Sequence, residues 1–151
     1  MIRVQADRFD VGAELGDFSA GNPEVGGVAS FVGYVRGSAA GEPIRAMTLE
    51  HYPGMTERKL EEIEAKARAR WPLIDSLVIH RYGRLEPGEP IVLVATSSSH
   101  REAAFEACQF LMDWLKTKAP FWKLEETDRG SRWVEAKDTD EAAAARWQSE
   151  T

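Results

Sequence analysis

The sequence predicts an α+β fold, because short apolar segments typical of strands alternate with two long segments of helical periodicity. The strand-like segments follow one another as hairpins, which argues against a parallel Rossmann sheet. The chain has 151 residues, of which 43% are hydrophobic and 29% charged. This length and composition predict a single domain over residues 1–151 with a substantial core.

The first half of the chain predicts two strands and a helix. Residues 25–35 (VGGVASFVGYV) and 44–52 are the strand-like segments. The loop at residues 37–41 lies between them, and its glycines and small side chains suggest mobility. Four apolar residues then repeat at helical spacing: Leu60, Ile63, Ala67 and Trp71. They form a core stripe, and Pro72 ends this helix.

The second half predicts four more strands. Residues 77–82 and 91–96 are joined by the turn Glu86-Pro87-Gly88-Glu89, and the second segment is apolar enough to lie inside a sheet. Two shorter strands are expected at residues 121–126 and 132–136. A last helix is expected near residues 140–147.

The longest helix is predicted from His100 to Lys118, and one of the serines at 97–99 is expected to cap it. Its buried stripe has four members, with Phe105 and Met112 alongside: Ala104, Cys108, Leu111 and Leu115. Because Cys108 lies on this stripe, we expect a packed and unreactive thiol.

Composition bears on partners and location. With 25 acidic and 19 basic residues, the formal net charge is -6, so no nucleic-acid surface is expected. The N-terminus lacks the apolar stretch of a signal peptide, and no apolar run approaches a membrane span. A single cysteine fits a reducing compartment, and three distant histidines have no metal-ligand spacing. We therefore expect a cytoplasmic protein without a metal, other cofactor or membrane partner.

The string KTKAPFWK at residues 116–123 is the most informative segment. Pro120 cannot continue a helix, and the residue before it favours extended geometry. Lys116 should therefore end a helix, while Lys123 begins an extended segment that can fold back beside it. Ammonium groups beside two aromatic rings predict a site for an anion or for developing negative charge. Alternatively, Lys116 only stabilises the helix C-terminus and Lys123 is merely exposed.

A second candidate anion site lies at the other end of the same helix. His100 and Arg101 stand where free backbone N–H groups and the helix dipole favour an anion, although a surface pair is equally common there. Arg101 and Lys116 would be about 22 Å apart along a continuous helix. Either they serve separate purposes, or a symmetric dimer brings one subunit's N-terminal end to the other's C-terminal end.

Four strings, in this order, resemble the large, catalytic subunit of molybdopterin synthase. They are LEHYPGMTE (49–57), ARARWP (67–72), SSHREAAFEACQFLMDWLKTKAPFWK (98–123) and RWVEAKD (132–138). The likeness extends over residues 26–147, and the PFWK and EHYPGM strings are distinctive. It implies an α/β hammerhead fold.

The resemblance also implies a sulfur transferase of molybdenum cofactor biosynthesis, which converts cyclic pyranopterin monophosphate to the dithiolene molybdopterin. The sulfur comes from the C-terminal thiocarboxylate of a small ubiquitin-like subunit, so no cysteine nucleophile is needed. The large subunits form a homodimer at the centre of a heterotetramer, and each pocket draws residues from both.

The resemblance implies roles for six residues. Lys116 and Lys123 match the family's catalytic-site lysines, and four residues match substrate-contacting positions: Arg36, His100, Arg101 and Lys137. The chain departs from the family pattern at Tyr34, where lysine is frequent, and at Lys137, where arginine is usual. Both departures affect the expected substrate affinity. Tyr34 removes one positive charge, and Lys137 cannot make the bidentate phosphate contact of arginine.

Two other functions are compatible with the residues. One is a non-catalytic dimeric scaffold that binds a partner's acidic tail through the same lysines. The other is an acyl or phosphoryl transferase that holds phosphate at a helix N-terminus, but the chain shows no nucleotide loop or partner acid for it.

Overall fold

Two β-sheets and four helices make up the part of the chain that the computed structural model describes, residues 1–134, 138–145 and 147–148. The helices are α1 (Val11–Asp17), α2 (Met55–Arg70), α3 (Arg101–Thr117) and α4 (Asp138–Ala145). The strands are β1 (Ile2–Gln5), β2 (Gly27–Tyr34), β3 (Ser38–Ala39), β4 (Glu42–His51), β5 (Leu73–Arg81), β6 (Gly83–Leu85), β7 (Pro90–Ser98), β8 (Phe121–Thr127) and β9 (Gly130–Val134). The predicted α+β class is confirmed.

The first sheet has the strand order β1-β5-β7-β2. β1 pairs with β5 in parallel, and the other neighbours are antiparallel. Successive side chains of the central strand β7 point to opposite faces. Leu93 therefore packs in a cluster that α1 covers, whereas Val92 and Val94 pack in the main core with α2 and α3. The sheet thus lies between α1 on one face and α2 and α3 on the other.

The second sheet is built around β4. β4 pairs with β8 on one side and with β3 and β6 on the other, and β9 forms a hairpin with β8. Leu49 of β4 and Leu85 of β6 are fully buried in the main core. The two sheets therefore share one core, and α3 packs on β2 and β7 above it.

The predicted elements are present, with shifted ends, and four short ones were not predicted. α2 buries Leu60, Ile63 and Ala67 as expected, and Trp71 follows its last residue. The unpredicted elements are β1, α1, β3 and β6; all are short, and each strand among them depends on pairing with a distant or neighbouring strand. Their local patterns are too brief to signal structure. Among the described helices, none is long and apolar enough to cross a membrane.

Two expectations about α3 were wrong. Its N-cap is His100, without a side-chain capping bond, because the strand before it continues through Ser98 and directs the serines elsewhere. Ser98 Oγ donates to the carbonyl of Pro72, and Ser97 Oγ bonds to Ser19. Phe105 does not join the buried stripe and is 63% exposed, since it lies at the side of α3, beside Phe31 of the edge strand β2.

Candidate active site

A cavity of about 540 Å³ lies where the two sheets meet at the C-terminal end of α3. Three predicted site residues line it: Arg36, Lys116 and Lys123. Much of the remaining wall is apolar and includes Phe31, Val32, Ile44, Met47, Ile91 and Phe121. Cations in partly apolar surroundings attract an anion more strongly than they would in water. The cavity can therefore hold a ligand that combines an anionic group with a flat ring.

The chain reversal around Pro120 brings the two lysines to one cavity. α3 ends at Thr117 and β8 begins at Phe121. Lys116 stands in the last turn of α3, where the helix dipole favours a cation. Alternation along β8 places Phe121, Lys123 and Glu125 on one face, and all three line the cavity. The sequence-based expectation that Lys123 folds back beside Lys116 is confirmed in geometry.

Glu125 places a carboxylate in this cationic site and was not among the site residues predicted from the sequence. The residue is 5% exposed, and Arg132 of β9 donates from Nε to its Oε1 at 3.3 Å. Arg132 offsets the charge of Glu125, and the cavity also receives three basic side chains, from positions 36, 116 and 123. Its position was deducible from Lys123, since residues two apart on a strand share a face.

His80 also forms part of the cavity wall, although its sequence position bore only on the question of a metal site. Its ring is stacked on Phe121, with centroids 3.7 Å apart and planes at 14°. Burial, with the nearby charges of Lys123 and Lys116, lowers the pKa of His80 to about 3. The ring is therefore neutral at physiological pH. The available signal was a polar residue directly after the apolar run at residues 77–79 of β5.

His100 and Arg101 lie at the opposite end of α3, are exposed, and are not among the described residues that line the cavity. Gly26 packs against Ser99, just before this end of α3. A Cβ atom on residue 26 would lie 1.8 Å from the carbonyl oxygen of Ser99. α3 is continuous from Arg101 past Lys116, so about 22 Å separate the two along the axis. The expectation that they cannot hold one small ligand within one chain is confirmed.

Of the two positions that depart from the family pattern, the structure describes only Tyr34. Tyr34 lines the cavity and is 52% exposed, so it places a neutral aromatic ring at the rim. Lys137, predicted to contact substrate, lies outside the described residues. Its contribution stays a prediction.

Cys108 is buried in the main core between α3 and β7. Its Sγ lies 4.0 Å from the carbonyl oxygen of Val94. Burial raises the pKa of this thiol to about 11, so the thiolate is scarce at neutral pH. The expectation that Cys108 is packed rather than poised for nucleophilic attack is confirmed.

Fold and cavity define the class of protein: an α+β subunit with a cationic, partly apolar site at the junction of two sheets. A family model described as MoaE protein matches residues 4–118. The molybdopterin synthase catalytic subunit of Pseudomonas aeruginosa is 56% identical over 147 residues, which cover 97% of this chain and 98% of that protein.

Solved structures agree with the sequence comparison. The MoaE protein of molybdopterin biosynthesis from Burkholderia ambifaria has a TM-score of 0.82 and 55% identity, covering 98% of this chain and 97% of that one. The structure of molybdopterin synthase from Staphylococcus aureus has a TM-score of 0.80 and 30% identity, covering 87% of this chain and 95% of that one.

The chain belongs to the MoaE family, the catalytic subunits of molybdopterin synthase. Membership confirms the activity that the resemblance implied, which is sulfur transfer in molybdenum cofactor biosynthesis. It also argues against the non-catalytic scaffold and against an acyl or phosphoryl transferase.

Proposed function

We propose that the cavity at the C-terminal end of α3 is the place where sulfur passes from a small subunit's C-terminal thiocarboxylate to cyclic pyranopterin monophosphate. The observation that carries this proposal is the convergence of Arg36, Lys116 and Lys123 on one cavity with apolar walls. Donor and acceptor are both anionic, so their approach requires cations. The apolar wall suits the flat pterin ring, and a cavity of about 540 Å³ has the size of a small-molecule site.

Lys116 and Lys123 have different surroundings and therefore different proposed roles. Lys116 is exposed on the last helical turn, where it can meet the incoming tail and stabilise charge as sulfur attacks carbon. Lys123 is half-buried on β8 between Phe121 and Glu125, which suits a fixed contact to the pterin precursor. Arg36 follows β2 at the cavity rim, where its guanidinium can bind phosphate.

We further propose that the working site is completed by a second copy of this chain. His100 and Arg101 are too far from the cavity in their own chain to contact the same ligand. The edge strand β2 and the adjacent side of α3 carry exposed apolar residues that a second copy can cover: Val28, Phe31 and Phe105. A two-fold pairing of this surface would set α3 of one chain beside α3 of its partner. With a small subunit on each side, the assembly is a heterotetramer in the cytoplasm.

The direct test is reconstitution. The purified chain is mixed with the thiocarboxylated small subunit and cyclic pyranopterin monophosphate, and molybdopterin is measured. A small subunit ending in an ordinary carboxylate is the matched control. We expect molybdopterin only with the thiocarboxylate, and two thiocarboxylates consumed for each product. Binding of both partners without any product would instead support a scaffold.

A further inference from the structure

We infer that His80 is a further substrate-contacting residue of this cavity, a neutral imidazole whose Nε2 accepts a hydrogen bond from an N–H group of the pterin ring. The inference rests on the proposed function and adds a specificity contact to it. The observations that carry it are the position of His80 in the cavity wall, its single hydrogen bond and its fixed ring.

The hydrogen bond of His80 determines its tautomer. Nδ1 lies 2.8 Å from the carbonyl oxygen of Arg81, and a carbonyl oxygen can only accept. Nδ1 therefore carries a proton and donates it. In a neutral imidazole this leaves Nε2 as a lone-pair acceptor.

Nε2 has no hydrogen-bond partner among the described residues. It is also not one of the fully buried polar atoms, so it remains accessible from the cavity. His80 as a whole is 5% exposed and lines the cavity. An unpartnered polar atom at a cavity wall is satisfied by water or by a ligand. Since the rest of the ring is enclosed, we assign the open side of His80 to Nε2.

Aromatic packing holds the ring in one orientation. Phe121 stacks on His80, and His51 lies beyond Phe121 with ring centroids 6.0 Å apart. Phe121 is also the first residue of the strand that carries Lys123, so the imidazole and the lysine are positioned by the same strand. A polar group fixed in this way contacts a ligand without losing much conformational entropy.

A neutral acceptor meets a need that the charged side chains of the cavity do not meet. Arg36, Lys116 and Lys123 can only donate hydrogen bonds, and Glu125 already accepts one from Arg132. A further carboxylate would offset the positive charge that holds the anionic substrate. Burial and the nearby lysines keep the imidazole uncharged, so His80 accepts a hydrogen bond and leaves the field of the cations unchanged. A pterin ring presents amide and amine N–H groups that such an acceptor can select.

Two substitutions separate this role from a structural one. Asn at position 80 can keep a donor near the Arg81 carbonyl, at the place of Nδ1, but has no atom at the place of Nε2. Gln puts an amide oxygen at the place of Nε2 but gives up the bond to Arg81. A structural role predicts that His80→Asn is the milder change, whereas the proposed role predicts that His80→Gln is milder for substrate binding.

The measurement is calorimetric titration of cyclic pyranopterin monophosphate into the dimeric protein without the sulfur donor, with thermal unfolding of each variant in parallel. We expect His80→Asn to raise Kd about tenfold and His80→Gln to stay within about threefold of wild type. The rate at saturating precursor should change less than Kd, because the contact exists before and during reaction. Equal Kd values for wild type and His80→Asn would overturn the inference.

A measurement on the unchanged protein covers the case in which a variant does not fold. In protein labelled with ¹⁵N-histidine, the Nε2 signal of His80 should have the shift of an unprotonated nitrogen and should move when the precursor is added. An unmoved signal at saturation contradicts the inference. Failure of wild type to bind the precursor at all would contradict the proposed function instead, so the two failures are distinguishable.

Discussion

The two ends of α3 both carry basic side chains, but only the C-terminal end is enclosed within one chain. Lys116 faces a cavity that β2, β4, β5 and β8 also line, whereas His100 and Arg101 stand exposed on the surface. At the N-terminal end the free N–H groups favour an anion without further help. At the C-terminal end the dipole opposes an anion, so neighbouring cations must hold it. One end is therefore a pocket whose walls come from several elements of one chain, and the other is an exposed basic surface.

This difference predicts that the largest loss of activity follows from removing the lysine of the enclosed end. Lys116→Ala should lower single-turnover sulfur transfer on the order of a hundredfold, the range for a lost charge-stabilising or acid–base group. Binding of the small subunit should be largely retained in this variant. Lys118→Ala is the matched control, because Lys118 is equally exposed two residues away but lines a different groove. Comparable transfer by both variants and wild type would remove Lys116 from the mechanism.

Mixed dimers test whether the exposed end completes the enclosed one. Arg101→Ala and Lys116→Ala homodimers should both be strongly impaired if each pocket takes one residue from each chain. A heterodimer with one substitution per chain would then have one doubly damaged pocket and one intact pocket, so up to half the activity should return.

Tagged chains establish that subunits have exchanged before activity is compared. Absence of complementation after confirmed exchange would mean that both residues act within one chain, or that Arg101 plays no part. A chain that stays monomeric at working concentrations would contradict the shared site more directly.

Acid stability should distinguish the buried histidine of the enclosed end from the exposed one. The folded-state pKa of His80 is about 3, against 6.5 unfolded, so the unfolded chain binds the extra proton first. The stability from keeping His80 neutral is complete above pH 6.5 and is lost as pH falls toward 3. Between pH 6.5 and 5 this group should cost about 2 kcal/mol. Urea unfolding of His80→Gln should show a flatter slope in this window.

His100→Gln is the control for that experiment, because His100 is exposed at the other end of α3. The pH slopes of the two variants are compared with that of wild type under the same conditions. A wild-type slope in His80→Gln would mean that His80 is not neutral in the folded protein.

Substitution in the middle of α3 should have the smallest effect on the rate of sulfur transfer. Cys108→Ala should keep sulfur transfer and lose about 1 kcal/mol of stability, because it removes one small buried atom from the core. Transfer assays and urea unfolding measure the two effects. Mass spectrometry that finds a persulfide on Cys108, turning over with substrate, would contradict delivery of sulfur on the partner's tail.

Local patterns in the sequence determined the long elements and the turn between the lysines. Helical spacing from Leu60 to Ala67 and the stripe through Leu111 predicted α2 and α3, since each period is repeated several times. Pro120 predicted the reversal because a proline cannot continue a helix. The predicted length of α3 also determined that Arg101 and Lys116 lie at opposite ends of one helix.

Only the tertiary structure decided what surrounds those residues. Ser97 and Ser98 belong to β7, not to a helix cap, because pairing with β2 and β5 extends the strand to Ser98. His80 reaches the lysine cavity because β5 and β8 lie in different sheets that meet beneath the end of α3. Contacts of this kind join residues that are distant in sequence, and they form through burial of shared apolar surface, which no local pattern encodes.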